Sequence, residues 1–157
     1  MNMEPRIGVD IGRVLIAGDG PDTSFFKSDE ESLRVPAVEG AFDGVAALVE
    51  KYAGRVWLVS KCGTRIQKRT LAWLTAHDFW AKTKLPEDQV RFCKERPQKA
   101  LHARELGLTH FIDDRVDVLE ALDLPHRYLF GALTAPAGMI PVAGWPELLE
   151  KLLQKIH

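Results

Sequence analysis

The sequence predicts an α/β fold, a Rossmann-like three-layer sandwich built on one central parallel sheet. Three observations predict it. Short apolar runs of strand length alternate with longer stretches of helical periodicity. Those runs are apolar nearly throughout, as in strands covered on both faces. Three of them end in polar residues, at Asp10, at Ser60 and at the pair Asp113–Asp114. In parallel sheets ligands bind beyond the carboxyl ends of the strands, so these positions converge on one rim.

Taken in order, Arg6–Asp10 (RIGVD) reads as a short buried strand ending in a carboxylate. Residues 17–37 carry AGDGPDTS and SDEES and read as loop. Val45, Leu48, Val49 and Tyr52 recur at i, i+3, i+4 and i+7, an amphipathic helix that Gly54 ends. Val56–Ser60 (VWLVS) is the second strand, and Gly63 and Thr64 open a helix with Ile66, Trp73 and Leu74 on one face. Pro86 breaks the chain before a short strand at Val90–Cys93. Pro97 suits the first turn of a helix reaching about Leu106, with Gly107 as its stop. His110–Asp113 is the fourth strand, and Val118, Leu119 and Leu122 mark the helix after it. Arg127–Phe130 is a fifth strand, 131–144 reads as loop, and a last helix spans Pro146–Ile156 with Leu148, Leu149, Leu152, Leu153 and Ile156 on its buried side.

A chain of 157 residues suits one domain, 1–157, and can bury a core without disulfides. Its formal net charge of −1 gives no global reason to expect nucleic acid or a membrane surface as partner. Cys62 and Cys93 fit neither a zinc spacing nor a CxxC motif and are expected as free thiols. The start, MNMEPRIGVD, lacks the apolar stretch of a signal peptide, and no apolar run approaches the roughly 20 residues that span a bilayer. A cytoplasmic location is the expectation, with no membrane partner.

Each polar position has an ordinary explanation. Asp10 could be a turn residue, Ser60 a helix cap, and Asp113–Asp114 a solvated turn. Together they favour a site. Adjacent carboxylates after a buried strand repel each other unless a cation is near. A hard cation such as Mg²⁺ binds through one or two carboxylates together with phosphate oxygens.

IGVDIGRVLI, VWLVSKCG and THFIDDRVDVL, in that order, resemble motifs one, two and four of the haloacid dehalogenase superfamily, over roughly residues 6–120. The resemblance implies a Mg²⁺-dependent hydrolase of phosphate esters with Asp10 as nucleophile, passing through an aspartyl-phosphate. It implies Asp10, the carbonyl of Gly12 and Asp114 as metal ligands, Asp113 as a water-mediated one, and Asp117 as a weaker outer candidate. Ser60 and the N–H groups after it, with Lys61, would hold phosphoryl oxygens. The family's motif-three lysine falls to Lys99 in the first turn of its helix, with Lys94 as the alternative. The sequence departs from the family at Gly12, where most such phosphatases carry a second aspartate as general acid and base; His77 or Asp19 are stand-ins to consider. This departure keeps open a binding module without turnover, or phosphoryl transfer to an acceptor other than water. A receiver domain, the other fold that phosphorylates an aspartate, places its acidic pair first; here the pair comes late.

The same resemblance implies no cap domain, since Asp10 and Ser60 are only 50 positions apart and residues 17–37 suffice for a flap. An open site suits a macromolecular or polyanionic phosphate ester, or a homo-oligomer lending a lid. Arg65, Lys68 and Arg69 share one helix face by spacing and could steer such a substrate.

Overall fold

The computed structural model describes residues 4–18 and 24–153. Six strands form one sheet in the order β3-β2-β1-β4-β5-β6: Ile7–Val9 (β1), Val56–Lys61 (β2), Val90–Cys93 (β3), His110–Asp113 (β4), His126–Phe130 (β5) and Ile140–Val142 (β6). Every pairing is parallel. The α/β sandwich expected from the sequence is the fold observed. The chain moves outward from β1 to β3 on one side, then restarts at β4 on the other. The crevice of such a sheet opens where the order reverses, between β1 and β4, and there the strands end in Asp10 and Asp113.

Helices cover both faces. Ala41–Lys51 (α3), Thr64–Ala76 (α4), Phe79–Thr83 (α5) and Trp145–Leu153 (α8) close one core around Leu48, Trp73, Phe79 and Trp145. Pro97–Leu106 (α6) and Val116–Glu120 (α7) close the other around Phe111, Val118 and Leu119. Helix α6 begins at Pro97, whose fixed φ suits the first turn, and stops at Gly107, in the left-handed region at φ 65°. Gly44 is required by packing: a Cβ there would come within 2.2 Å of the Trp145 ring.

The structure corrects the sequence reading in two stretches. Within 17–37, expected as loop, stand two short helices, Ser24–Lys27 (α1) and Asp29–Arg34 (α2). Ser28 caps α2, its hydroxyl accepting from the Glu31 N–H at 3.0 Å, and three acids occupy the first turn where the helix dipole favours them. Residues 131–144, also expected as loop, contain β6. Its Pro141 is tolerated because the strand lies at the sheet edge, where one side of the backbone needs no partner. The helix opened by Gly63 ends at Ala76, where Asp78 turns left-handed (φ 61°) and α5 begins. Asp19, and Ile156 at the expected end of the last helix, lie outside the described residues. No helix among the described residues is long and apolar enough to cross a membrane.

Candidate active site

Asp10 follows β1 directly, its N–H still bonded to the Ile112 carbonyl at 3.0 Å, so the sheet itself fixes it beside β4. Asp113 ends β4 and Asp114 follows. One carboxylate oxygen from each of the three lies within 4.8 Å of the other two. The ε-ammonium of Lys99 bridges the first two, 3.1 Å from Asp10 Oδ1 and 2.8 Å from Asp113 Oδ2. Asp113 Oδ1 accepts the Arg115 N–H at 3.1 Å, which leaves that carboxylate pinned at both oxygens.

These groups are deeply buried: Asp10 is 7 % exposed, Lys99 3 % and Asp113 not at all. Burial, then the neighbouring charge of Asp113, pushes the Asp10 carboxyl far above the usual carboxylate range, although Lys99 pulls the other way. Burial raises Asp113 likewise. For Lys99 burial opposes the charge, but Asp10 and Asp113 outweigh it and hold the ammonium protonated. Three carboxylates therefore face one buried ammonium. Arg13 adds a half-exposed guanidinium 3.5 Å from Asp114, too solvated to neutralise the buried end. An all-oxygen cluster short of positive charge fits a hard divalent cation such as Mg²⁺.

Ser60 is buried near the end of β2 and lines the same cavity, and its hydroxyl makes no hydrogen bond to another described residue. Lys61 and Gly63 also line it, and the exposed Lys61 has no ion-pair partner among the described residues. The N–H of Cys62, one of those expected to hold phosphoryl oxygens, instead donates to the Cys93 carbonyl at 2.9 Å. Both cysteines are free. Gly12 lies at the mouth with nothing within 4 Å of an added Cβ. The cavity measures about 370 Å³, which admits a phosphoryl group with a small leaving group.

The structure thus brings together Asp10, Gly12, Ser60, Lys61, Lys99 and Asp114 as cavity lining, with Asp113 behind. Lys94 is exposed and away from the carboxylates. Three further candidates do not join the site. Asp117 faces solvent and is held by Arg115 at 3.0 Å and Arg96 at 3.6 Å. His77 bonds the Leu33 carbonyl at 2.8 Å and stacks on Trp73. The cationic face considered on α4 loses one member, because Arg69 is buried, with its Nε donating to Asp29 at 2.7 Å and a second nitrogen to the Phe25 carbonyl at 3.2 Å, while Arg65 and Lys68 are exposed. Sequence reasoning missed Arg96 and Arg115, which line the cavity from the loops after β3 and β4. The rule that ligands sit beyond strand carboxyl ends points to the loops they stand in, though not to these side chains in particular.

No family model matches the chain, and no curated protein matches it. Solved structures do. A haloacid dehalogenase-like hydrolase from Burkholderia xenovorans LB400 superposes with a TM-score of 0.66 at 13 % identity, covering 98 % of this chain and 100 % of that one. A haloacid dehalogenase-like family hydrolase from Xanthomonas campestris superposes with a TM-score of 0.62 at 15 % identity, covering 94 % and 95 %. The chain has the haloacid dehalogenase-like fold, as the three motifs implied.

Proposed function

We propose that the chain is a Mg²⁺-dependent phosphohydrolase acting through an aspartyl-phosphate on Asp10. One observation carries the reading: Asp10, Asp113 and Asp114 within 4.8 Å of one another, with Lys99 bridging the first two at the carboxyl ends of β1 and β4. Asp10, Asp114 and the Gly12 carbonyl would hold the ion directly, and Asp113 through water. When bound, Mg²⁺ lowers the repulsion between an anionic nucleophile and an anionic phosphate.

Lys99 holds one oxygen of Asp10, leaving the other to attack phosphorus. The new Asp–O–P bond forms as the bond from phosphorus to the leaving oxygen breaks. Ser60, a donor held in a buried position, stabilises the charge on the transferring group with little reorganisation during the step, and the exposed Lys61 adds positive charge at the rim. The leaving oxygen departs as an anion and is protonated by solvent afterwards, because Gly12 offers no proton. Water then attacks phosphorus, losing a proton to solvent as the Asp–O–P bond breaks, and inorganic phosphate and the free Asp10 carboxylate are released. Gly12 favours a second reading as well, a phosphate-binding module without turnover.

The test is hydrolysis of aryl and acyl phosphates with Mg²⁺ and with chelator, in wild type and Asp10→Asn. Turnover is expected only with metal, and should fall by several orders of magnitude in Asp10→Asn, where the covalent pathway is gone. Undiminished turnover in that variant would end the mechanism. Absence of turnover with retained phosphate binding would favour the binding module.

A further inference from the structure

We infer that the cavity selects phosphate esters whose leaving group carries a second anionic group, which Arg96 and Arg115 bind; this rests on the Asp10–Asp114 end being the phosphoryl site. Arg96 stands in the loop between β3 and α6, and Arg115 directly follows Asp114. Both line the cavity, and both side chains are about half exposed, at 45 % and 43 %. Among the described residues the one carboxylate that pairs with either is Asp117, which does not line the cavity. Arg115 approaches it through two nitrogens, at 3.0 and 3.3 Å, and Arg96 through one at 3.6 Å. One carboxylate against two guanidinium groups leaves a net positive charge facing the cavity.

Exposed ion pairs of this kind contribute little, so neither arginine is committed to Asp117. Each guanidinium has five N–H donors in a planar fork that matches a carboxylate or phosphate, and most remain unused here. Among the described residues, Asp114 is the carboxylate besides Asp10 that lines the cavity, and it acts on Arg115 only at longer range than Asp117 does. Asp114 belongs to the carboxylate cluster, and no described carboxylate pairs with Lys61. A leaving group that projects from phosphorus toward β4 and α6 therefore meets unsatisfied cations. The ordinary alternative is that Arg115 and Asp117 only clasp the start of α7.

The experiment compares two unreactive probes, benzylphosphonate and 3-carboxybenzylphosphonate, by calorimetry with Mg²⁺ present. In wild type the carboxylated probe should bind about 10- to 100-fold tighter, the range of a charge-assisted contact. In Arg96→Gln/Arg115→Gln that ratio should fall to within about threefold of unity. Asp117→Asn removes the competing carboxylate and should raise the ratio above wild type, an outcome a mere clasp does not produce. Equal affinities in wild type, no binding of either probe, or a ratio that survives the double substitution would each overturn the inference. Aryl phosphate turnover is measured in parallel. Its absence alongside a retained ratio would sink the hydrolase reading and leave the anion subsite standing.

Discussion

Gly12 is the residue on which the proposed phosphohydrolase chemistry turns. General acid–base help from a side chain at that position is typically worth about 10²–10⁴ in rate. Arg13 cannot supply it, since a guanidinium stays protonated and its group pairs with Asp114. The leaving oxygen must then depart with its charge largely uncompensated, so aryl and acyl phosphates should react fast and alkyl phosphates slowly. An added Cβ at Gly12 meets nothing within 4 Å, so a side chain has room. Gly12→Asp is expected to raise alkyl phosphate turnover at least about tenfold and to flatten the dependence on leaving-group pKa. Equal wild-type rates for aryl and alkyl esters would show that another group delivers the proton. At this scale much of the site was legible. Asp10, Ser60 and Asp113–Asp114 stand out because a polar residue ending an apolar strand needs a reason. Lys99 over Lys94 was a matter of helix position, since the first turn of α6 aims back toward the strand ends. Arg96 and Arg115 were not singled out, because exposed arginines beside turns are common and only the folded cavity separates them from ordinary surface.

Helix α4 decides how the segment between β1 and α3 is held. Arg69 ties α1 and α2 to it through Asp29 and the Phe25 carbonyl, Trp73 donates to the Val35 carbonyl at 2.8 Å, and His77 meets Leu33. Phe25 and Ile66 in turn line the cavity, so this flap forms one wall of the site. Arg69→Met keeps the apolar stem and removes three nitrogens. The flap should loosen: hydrogen exchange across 24–36 is expected to speed up by about tenfold or more while the strands stay protected, since local openings report local contacts. KM for aryl phosphates should rise with it. Unchanged exchange would mean the flap is held by Trp73 and apolar packing alone. The sequence carried this signal in part. The i, i+3, i+4 arithmetic that groups Arg65, Lys68 and Arg69 also places Arg69 one turn before Trp73, on the packed side. Likewise SDEES has the Ser-x-x-Glu spacing of a capping box, which marks a helix start even within a polar stretch. The edge strand β6 was harder to see, since three residues with a central proline resemble a turn until β5 offers its edge.

Across the whole molecule, the parallel sheet separates stability from chemistry. The site occupies the carboxyl ends of the strands, while His110 and His126 stack at the opposite end, centroids 4.2 Å apart. This division was legible in the sequence, because alternating strands and helices fix strand direction and hence which ends share a rim; the order of the strands was not. Burial, and then His126, push the His110 imidazole from 6.5 down to about 4. A depressed folded value means the unfolded chain takes up the proton first. The contribution of neutral His110 is therefore intact above pH 6.5 and is lost as pH falls from there toward 4. His110→Phe keeps a ring in the stack and should flatten the fall in Tm over that window relative to wild type; parallel curves would show that His110 does not carry it. At the other end, the carboxylate cluster works against the fold until a cation joins it, because two buried carboxylates share one lysine. A ligand that binds only the folded site stabilises by mass action, about 2.7 kcal/mol at a hundredfold excess over Kd. For a chain of this size that is roughly 5–10 °C in Tm. Millimolar Mg²⁺ should produce such a rise in wild type, and Asp114→Ala should abolish it while leaving the metal-free protein folded, since Asp114 is partly exposed and its pair with Arg13 is weak. A melting curve indifferent to Mg²⁺ would leave the cluster without its cation and the phosphohydrolase without its mechanism.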